Sequence, residues 1–250
     1  MQKLKFSCKR ELRTIRGYEY KKQVNNGVPV IISHGFLANQ RHVKKYATGL
    51  AEAGYVVFTF DFCGGGLMSK SDGKFSETSI ATEKEDLKAV TEYVENLNYI
   101  NSEKLILIGE SQGGLVSCLV AAEYGERVEK LILLYPALCI PDDAKKGKML
   151  FMRFEPSDVD GTLKCKLFRF SPDYPKSALN LNVGEELARI TADTLIIHGE
   201  RDKIVNVGYA ERAKTLVDNC KLEILQGAGH GFNAKQSRKA IALIKDYIAN

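Results

Sequence analysis

A serine becomes a useful nucleophile only when a base stands within hydrogen-bond reach and a third group fixes that base. Residues of all three kinds occur in this chain, each in a setting that suits the task. Gly109-Glu110-Ser111-Gln112-Gly113-Gly114 carries a Gly-x-Ser-x-Gly pattern. In that pattern small neighbours let a serine occupy a strained turn with its hydroxyl above a sheet edge. A plain glycine-rich turn between strand and helix would read the same, so the weight comes from what lies downstream. His230 sits in Gln226-Gly227-Ala228-Gly229-His230-Gly231-Phe232, and Asp202 in His198-Gly199-Glu200-Arg201-Asp202-Lys203-Ile204-Val205. The chain order is therefore serine, acid, histidine, which one group of serine enzymes uses.

The competing residues are few. Of the 4 histidines, His198 ends an apolar run and is read as structural, while His42 falls on a polar helix face and is read as solvated. His34 is placed in a second shell, behind the reacting groups, and so is Glu110. Glu200 is the alternative acid but stands closer to the end of its strand, so Asp202 is favoured; Asp193 lies at the wrong end of that strand. Acyl transfer also needs donors for the oxyanion, and removing one costs on the order of 10²–10³ in rate. The backbone N–H groups of Gln112 and Phe36 are the candidates. Gly64-Gly65-Gly66 lacks the Gly-Lys-Ser/Thr and following helix of a phosphate loop, and reads as a turn beside the pocket. Neither His-Glu-x-x-His nor clustered Cys/His spacing occurs, so no metal or other cofactor is expected.

These residues need a scaffold to bring them together. Residues 104–108 form a short apolar run before the Ser111 turn, and residues 115–122 suit a buried helix after it. Further buried strands are expected at 28–33, 55–60, 131–136, 194–199 and 221–225. Helices are expected after His34-Gly35-Phe36 up to Gly54, at 82–97 with a capping box of Thr82 and Glu85, and near 207–217 and 235–248. Residues 3–24 read as two short antiparallel strands, with Leu12, Ile15, Tyr18 and Tyr20 among polar residues and Gly17 in between. Apolar strands alternating with helices specify an α/β class, a mostly parallel sheet covered on both faces. Every candidate residue then falls at the carboxyl end of a strand, where such sheets carry their sites.

From about 141 to 186 the alternation breaks. A structureless loop of that length is unusual, so a small insertion is expected, with Phe151, Phe154, Phe168, Phe170 and Tyr174 suited to a cap over a pocket; the alternative is that they only fix the insertion to the main sheet. Its basic residues, Lys145, Lys146, Lys148, Arg153, Lys164, Lys166 and Arg169, are read as a solvated face. The 250 residues are expected to form a single domain, residues 1–250, carrying this lid. With 44% hydrophobic and 27% charged residues, the composition is that of a globular protein. The net charge of +5 is spread along the chain without a nucleic-acid motif, so nucleic acid is not an expected partner. The first ten residues lack a signal's apolar block, and the longest apolar stretch, 131–140, is too short for a membrane span. A cytoplasmic location is the expectation. The 6 cysteines (Cys8, Cys63, Cys118, Cys139, Cys165, Cys220) form no C-x-x-C pair and are read as free thiols.

His34-Gly35-Phe36, Asp61-Phe62, Ser71-Asp72-Gly73-Lys74-Phe75, Ser111-Gln112-Gly113-Gly114, Tyr135-Pro136-Ala137, the Asp202 loop and His230 together resemble the bacterial cinnamoyl (feruloyl) esterases of the α/β-hydrolase superfamily. The similarity runs over nearly the whole chain. It implies an α/β-hydrolase fold with a small lid insertion, serine-hydrolase chemistry through Ser111, His230 and Asp202, and a small-molecule ester substrate, hydroxycinnamoyl or short-chain. Glu110 stands where many relatives have His, and Gly64-Gly65-Gly66-Leu67 replaces a Gly-His-Gly turn. A peptidase or amidase, a monoacylglycerol lipase or a thioesterase of the same fold are the rival enzymes; a binding protein without turnover is the rival of another class. A homodimer is left open.

Overall fold

A computed structural model describes residues 1–66, 68–150, 152–159, 163–164 and 169–250. The strands are β1 (Gln2–Arg10), β2 (Arg13–Lys21), β3 (Pro29–Ser33), β4 (Val56–Asp61), β5 (Leu105–Glu110), β6 (Val128–Leu134), the two-residue β7 (Lys148–Met149), β8 (Met152–Arg153), β9 (Leu163–Lys164) and β10 (Arg169–Phe170), then β11 (Asp193–Gly199) and β12 (Cys220–Leu225). The α-helices are α1 (Gln40–Glu52), α2 (Ile80–Glu95), α3 (Gln112–Tyr124), α4 (Ile140–Lys145), α5 (Asp173–Leu179), α6 (Val183–Ala188), α7 (Gly208–Leu216) and α8 (Ala234–Ala249).

Eight strands form one sheet in the order β1-β2-β4-β3-β5-β6-β11-β12. From β4 to β12 all neighbours are parallel, and β2 pairs antiparallel with both β1 and β4. Both faces are covered, which is why the central strands carry apolar side chains without alternation. On one face Ile31, Phe58, Leu107, Leu131 and Ile196 join the cluster that includes Leu87 and Val90 of α2 and Leu115 and Leu119 of α3. On the other, Val30, Ile32, Ile106, Ile108, Ile132 and Ile197 pack with Val43 and Leu50 of α1 and Ala240 and Ile244 of α8. Strand order reverses at β3, whose neighbours are β4 and β5. The crevice above such a reversal is where open α/β sheets bind ligands.

Two local readings are corrected. Gly17 does not separate the first two strands; it lies inside β2, opposite Phe6, and the turn is at Glu11 and Leu12, with Glu11 at φ 52°. A Cβ at Gly17 would stand 2.3 Å from the Phe6 ring, so the glycine makes room for an aromatic residue. Helix α2 starts earlier than expected. Its cap is Ser79, whose hydroxyl accepts from the Thr82 N–H at 3.1 Å while the Thr82 hydroxyl accepts from the Ser79 N–H at 2.8 Å. Thr82 is thus the third residue of the box rather than its cap.

The segment between β6 and β11 carries α4, α5, α6 and two short antiparallel ladders, β7 with β8 and β9 with β10. Tyr174 and Ala178 of α5 are buried in the main core. Phe154 is half-buried against it. Phe151, Phe168 and Lys166 lie outside the described residues, as do the side chains of Phe170, Lys164 and Arg169; Lys145, Lys146, Lys148 and Arg153 are exposed. Cys8, Cys63, Cys118, Cys139 and Cys220 are free thiols, and Cys165 lies outside the described residues.

Candidate active site

The turn after β5 is held from both sides. The Ser111 N–H donates to the Leu134 carbonyl at 2.9 Å, and the Ser111 carbonyl accepts from the Ala137 N–H at 2.8 Å. Ser111 is pinned at φ 52°, ψ −116°, a region that a non-glycine residue occupies at a cost of about 1–3 kcal/mol. The neighbouring glycines are needed for close approach: a Cβ at Gly113 would lie 2.4 Å from the His34 carbonyl oxygen, and one at Gly109 2.3 Å from that of Gly113. The strained turn lifts the Ser111 hydroxyl clear of the sheet and starts α3 at the next residue.

The loops after β11 and β12 supply the partners. Ser111 Oγ and His230 Nε2 are 2.9 Å apart, and His230 Nδ1 is 2.8 Å from Asp202 Oδ2. An imidazole that donates through Nδ1 to the carboxylate presents Nε2 as an acceptor to the hydroxyl, the tautomer a base needs. Asp202 Oδ1 accepts the N–H groups of Ile204 and Val205, each at 2.9 Å. Burial pushes the Asp202 carboxyl up, but bonds from His198, His230 and the Val205 N–H outweigh it and hold the group well below the usual carboxylate range. Glu200, the rival acid, instead accepts the Gly227 N–H at 2.9 Å and so ties the two loops together.

His198 does more than fill the core. Its Nε2 lies 3.0 Å from the Val205 carbonyl and 3.4 Å from Asp202 Oδ2, so it supports the acid loop from below. His42 is exposed as expected, yet it closes the capping box of α1 with Asn39 and lines the cavity. His34 is buried and spans two loops, with Nδ1 2.9 Å from the Gly35 carbonyl and Nε2 accepting the Phe62 N–H at 3.2 Å. It braces the loop that carries Phe36. Tyr135, given no site role in the sequence, sets its ring edge-on to His230 at 5.0 Å between centroids. Its hydroxyl donates to Glu110 Oε1 at 2.5 Å. Burial raises the Glu110 carboxyl above its usual range.

Above Ser111 lies a cavity of about 580 Å³ lined by Phe36, Leu37, Glu110, Tyr135, Met149 and Tyr174 among others. Gly35 packs against the serine, since a Cβ there would stand 3.1 Å from that of Ser111. This brings the Phe36 backbone to the same side as that of Gln112, the first residue of α3, and first-turn N–H groups have no partner within their own helix. The Gly64-Gly65-Gly66 turn lies nearby, with Gly66 bridging to Leu37; Leu67 lies outside the described residues. Among the described residues no group of three His, Cys, Asp or Glu is placed to hold a metal ion, and no helix is long and apolar enough to cross a membrane.

A mostly parallel eight-stranded sheet with helices on both faces and a serine on a strained turn after β5 defines an α/β hydrolase. The chain belongs to the family described as Serine aminopeptidase, S33, whose profile matches residues 26–159. It is similar to Est1E from Butyrivibrio proteoclasticus, solved with ferulic acid bound, at 26% identity and a TM-score of 0.90 over 98% of each chain. It is also similar to the AB hydrolase superfamily protein YisY of Bacillus subtilis, 26% identical over 90% of this chain and 92% of that one. Monoacylglycerol lipase abhd6-B of Xenopus laevis is 26% identical over 66% of this chain but only 60% of its own length.

Proposed function

We propose that the protein hydrolyses carboxylic esters through an acyl-enzyme formed on Ser111. The observation that carries this is the run of contacts from Ser111 Oγ to His230 to Asp202 at the floor of a cavity of about 580 Å³. In the first half-reaction the Ser111 oxygen attacks the ester carbonyl while His230 Nε2 takes the hydroxyl proton. Asp202 orients the imidazole and stabilises its charged form. The negative charge on the carbonyl oxygen falls to the N–H groups of Phe36 and Gln112. His230 returns its proton to the departing alcohol, then draws one from water, which releases the acid and restores the serine.

The segment of residues 141–186 acts in this reading as a lid over the acyl group. Phe36, Met149 and Tyr174 give the cavity an apolar and aromatic wall, and Est1E, whose fold this chain shares, was solved with ferulic acid. Both favour an aromatic acyl group.

The family description names an aminopeptidase, and one feature favours that second reading: the Glu110 carboxyl on the cavity wall could pair with a substrate ammonium group. Matched ester and anilide substrates decide between them. We expect p-nitrophenyl and methyl hydroxycinnamoyl esters to turn over at least about 100-fold faster than the corresponding anilides, and Ser111→Ala to lose about 10⁶ in kcat. Faster anilide cleavage, with a free amino terminus required, would install the peptidase reading instead.

A further inference from the structure

The proposed reaction uses only the backbone of Gln112, yet its side chain is among the most fully engaged in the molecule. It is 1% exposed. Its Nε2 donates to Glu83 Oε2 at 2.7 Å, and its Oε1 accepts from the Tyr174 hydroxyl. Glu83 belongs to the first turn of α2, and Tyr174 to α5 of the insertion. A second bond runs parallel to this one, from the Ile80 N–H at the start of α2 to Ser177 Oγ of α5 at 3.2 Å. Helix α5 is thus bonded to α2 directly and through the residue that follows Ser111.

Three polar side chains buried in one line are costly to desolvate, and an apolar contact would fill the space more cheaply. Such a line specifies one geometry, because an amide whose donor and acceptor are both committed cannot rotate without leaving a buried group unpaired. We propose that Glu83 and Tyr174 are positioning residues: through the Gln112 side chain they fix the start of α3 beside Ser111 and keep α5 seated over the cavity. Lid position and oxyanion geometry are then coupled through one side chain. The proposal rests on the reading in which Ser111 is the nucleophile and the insertion covers the acyl group.

The electrostatics give the tether a pH dependence. Burial, reinforced by Asp86, raises the Glu83 carboxyl to about 8, against the opposing bonds from Gln112 and Thr78. The groups facing it are Asp86 on its own helix, itself paired with Arg10 of β1, Gln112 of α3, the Thr78 hydroxyl at 3.5 Å, and Tyr174 of α5. At neutral pH Glu83 holds its proton. Above about pH 8 it ionises, and an uncompensated charge in this buried site favours admission of water between α2 and α5.

The test compares wild type, Glu83→Gln, which keeps an acceptor but cannot ionise, and Tyr174→Phe, which removes one hydroxyl. Two readouts are used: kcat and KM for a p-nitrophenyl ester between about pH 6.5 and 9.5, and hydrogen exchange of residues 173–179 without substrate. We expect the wild-type KM to rise about three- to tenfold over the alkaline half of this range. The Glu83→Gln KM should stay flat, and Tyr174→Phe should show a raised KM throughout with kcat within about threefold of wild type. Exchange in α5 should be faster in Tyr174→Phe than in wild type, and at about pH 9 faster in wild type than in Glu83→Gln. Superimposable pH profiles of wild type and Glu83→Gln, or unchanged KM and exchange in Tyr174→Phe, would overturn the tether. A wild type that hydrolyses no ester refutes the functional reading instead, and the exchange comparison then still decides the tether. Should Glu83→Gln fail to fold, Tyr174→Phe decides it alone.

Discussion

Asp202 accepts from two backbone N–H groups on one oxygen and faces two imidazoles with the other. An amide at this position would offer His230 Nδ1 either the wrong group or a weaker one, and so destabilise the required tautomer. Asp202→Asn is therefore expected to retain the fold and lose about 10⁴ in kcat, as measured by steady-state ester hydrolysis; a loss under tenfold would remove Asp202 from its role. In the proposed reaction Phe36 acts through its backbone N–H alone, while its ring packs on Phe75 and Tyr174 at 5.7 and 5.6 Å. Phe36→Ala should raise KM several-fold with kcat reduced less than about tenfold, and a loss as large as that of Ser111→Ala would contradict this. That Ser111, His230 and Asp202 meet was legible because each follows a strand and the chain order is serine, acid, histidine. His198 was read as structural only, and Glu83 was not singled out, since nothing about a histidine four residues before an aspartate, or a glutamate in a helix start, reveals what faces it in the fold.

At the scale of elements, the strained turn depends on how closely α3 can approach β3. A Cβ at Gly113 would stand 2.4 and 2.6 Å from the carbonyl oxygens of His34 and Ser33, and backbone cannot swing aside as a side chain can. Gly113→Ala is expected either to abolish soluble expression or to displace Ser111 enough to cost at least about 100-fold in kcat/KM; a soluble variant with near wild-type activity would show that this contact is not limiting. Strand and helix identities followed from apolar runs and periodicity, so β3 to β6, β11 and β12 came out close to where they were expected. The boundaries that moved have local causes. Ser79 and Thr82 can each cap a helix, and choosing between them requires knowing that Ile80 is buried. Gly17 looks like a turn residue unless Phe6 is known to lie opposite it.

For the whole molecule, the antiparallel β1-β2 pair extends a parallel sheet that would otherwise end at β4. Arg10 anchors it: Nε meets Asp86 Oδ1 at 2.5 Å, and the other Asp86 oxygen accepts the Cys63 N–H at 2.7 Å. The Asp86 side chain is fully buried and that of Arg10 is 13% exposed. Removing the cation leaves a buried carboxylate unpaired, at a cost of about 3 kcal/mol. Arg10→Ala should lower the melting temperature by about 6–12 °C in calorimetry while kcat at 25 °C stays unchanged; an unaltered melting temperature would mean the hairpin is held by other contacts. The segment between β6 and β11 stood out in the sequence by its break in alternation, but its docking through Tyr174 was not legible, because that bond joins residues 62 positions apart in sequence.

Covalent labelling tests the central claim most directly. Intact-protein mass spectrometry after treatment with a fluorophosphonate should show one adduct, on the peptide containing Ser111. The adduct should be absent from Ser111→Ala and formed far more slowly in His230→Ala. A folded wild-type protein that gains no adduct, or an adduct that persists in Ser111→Ala, would contradict the account.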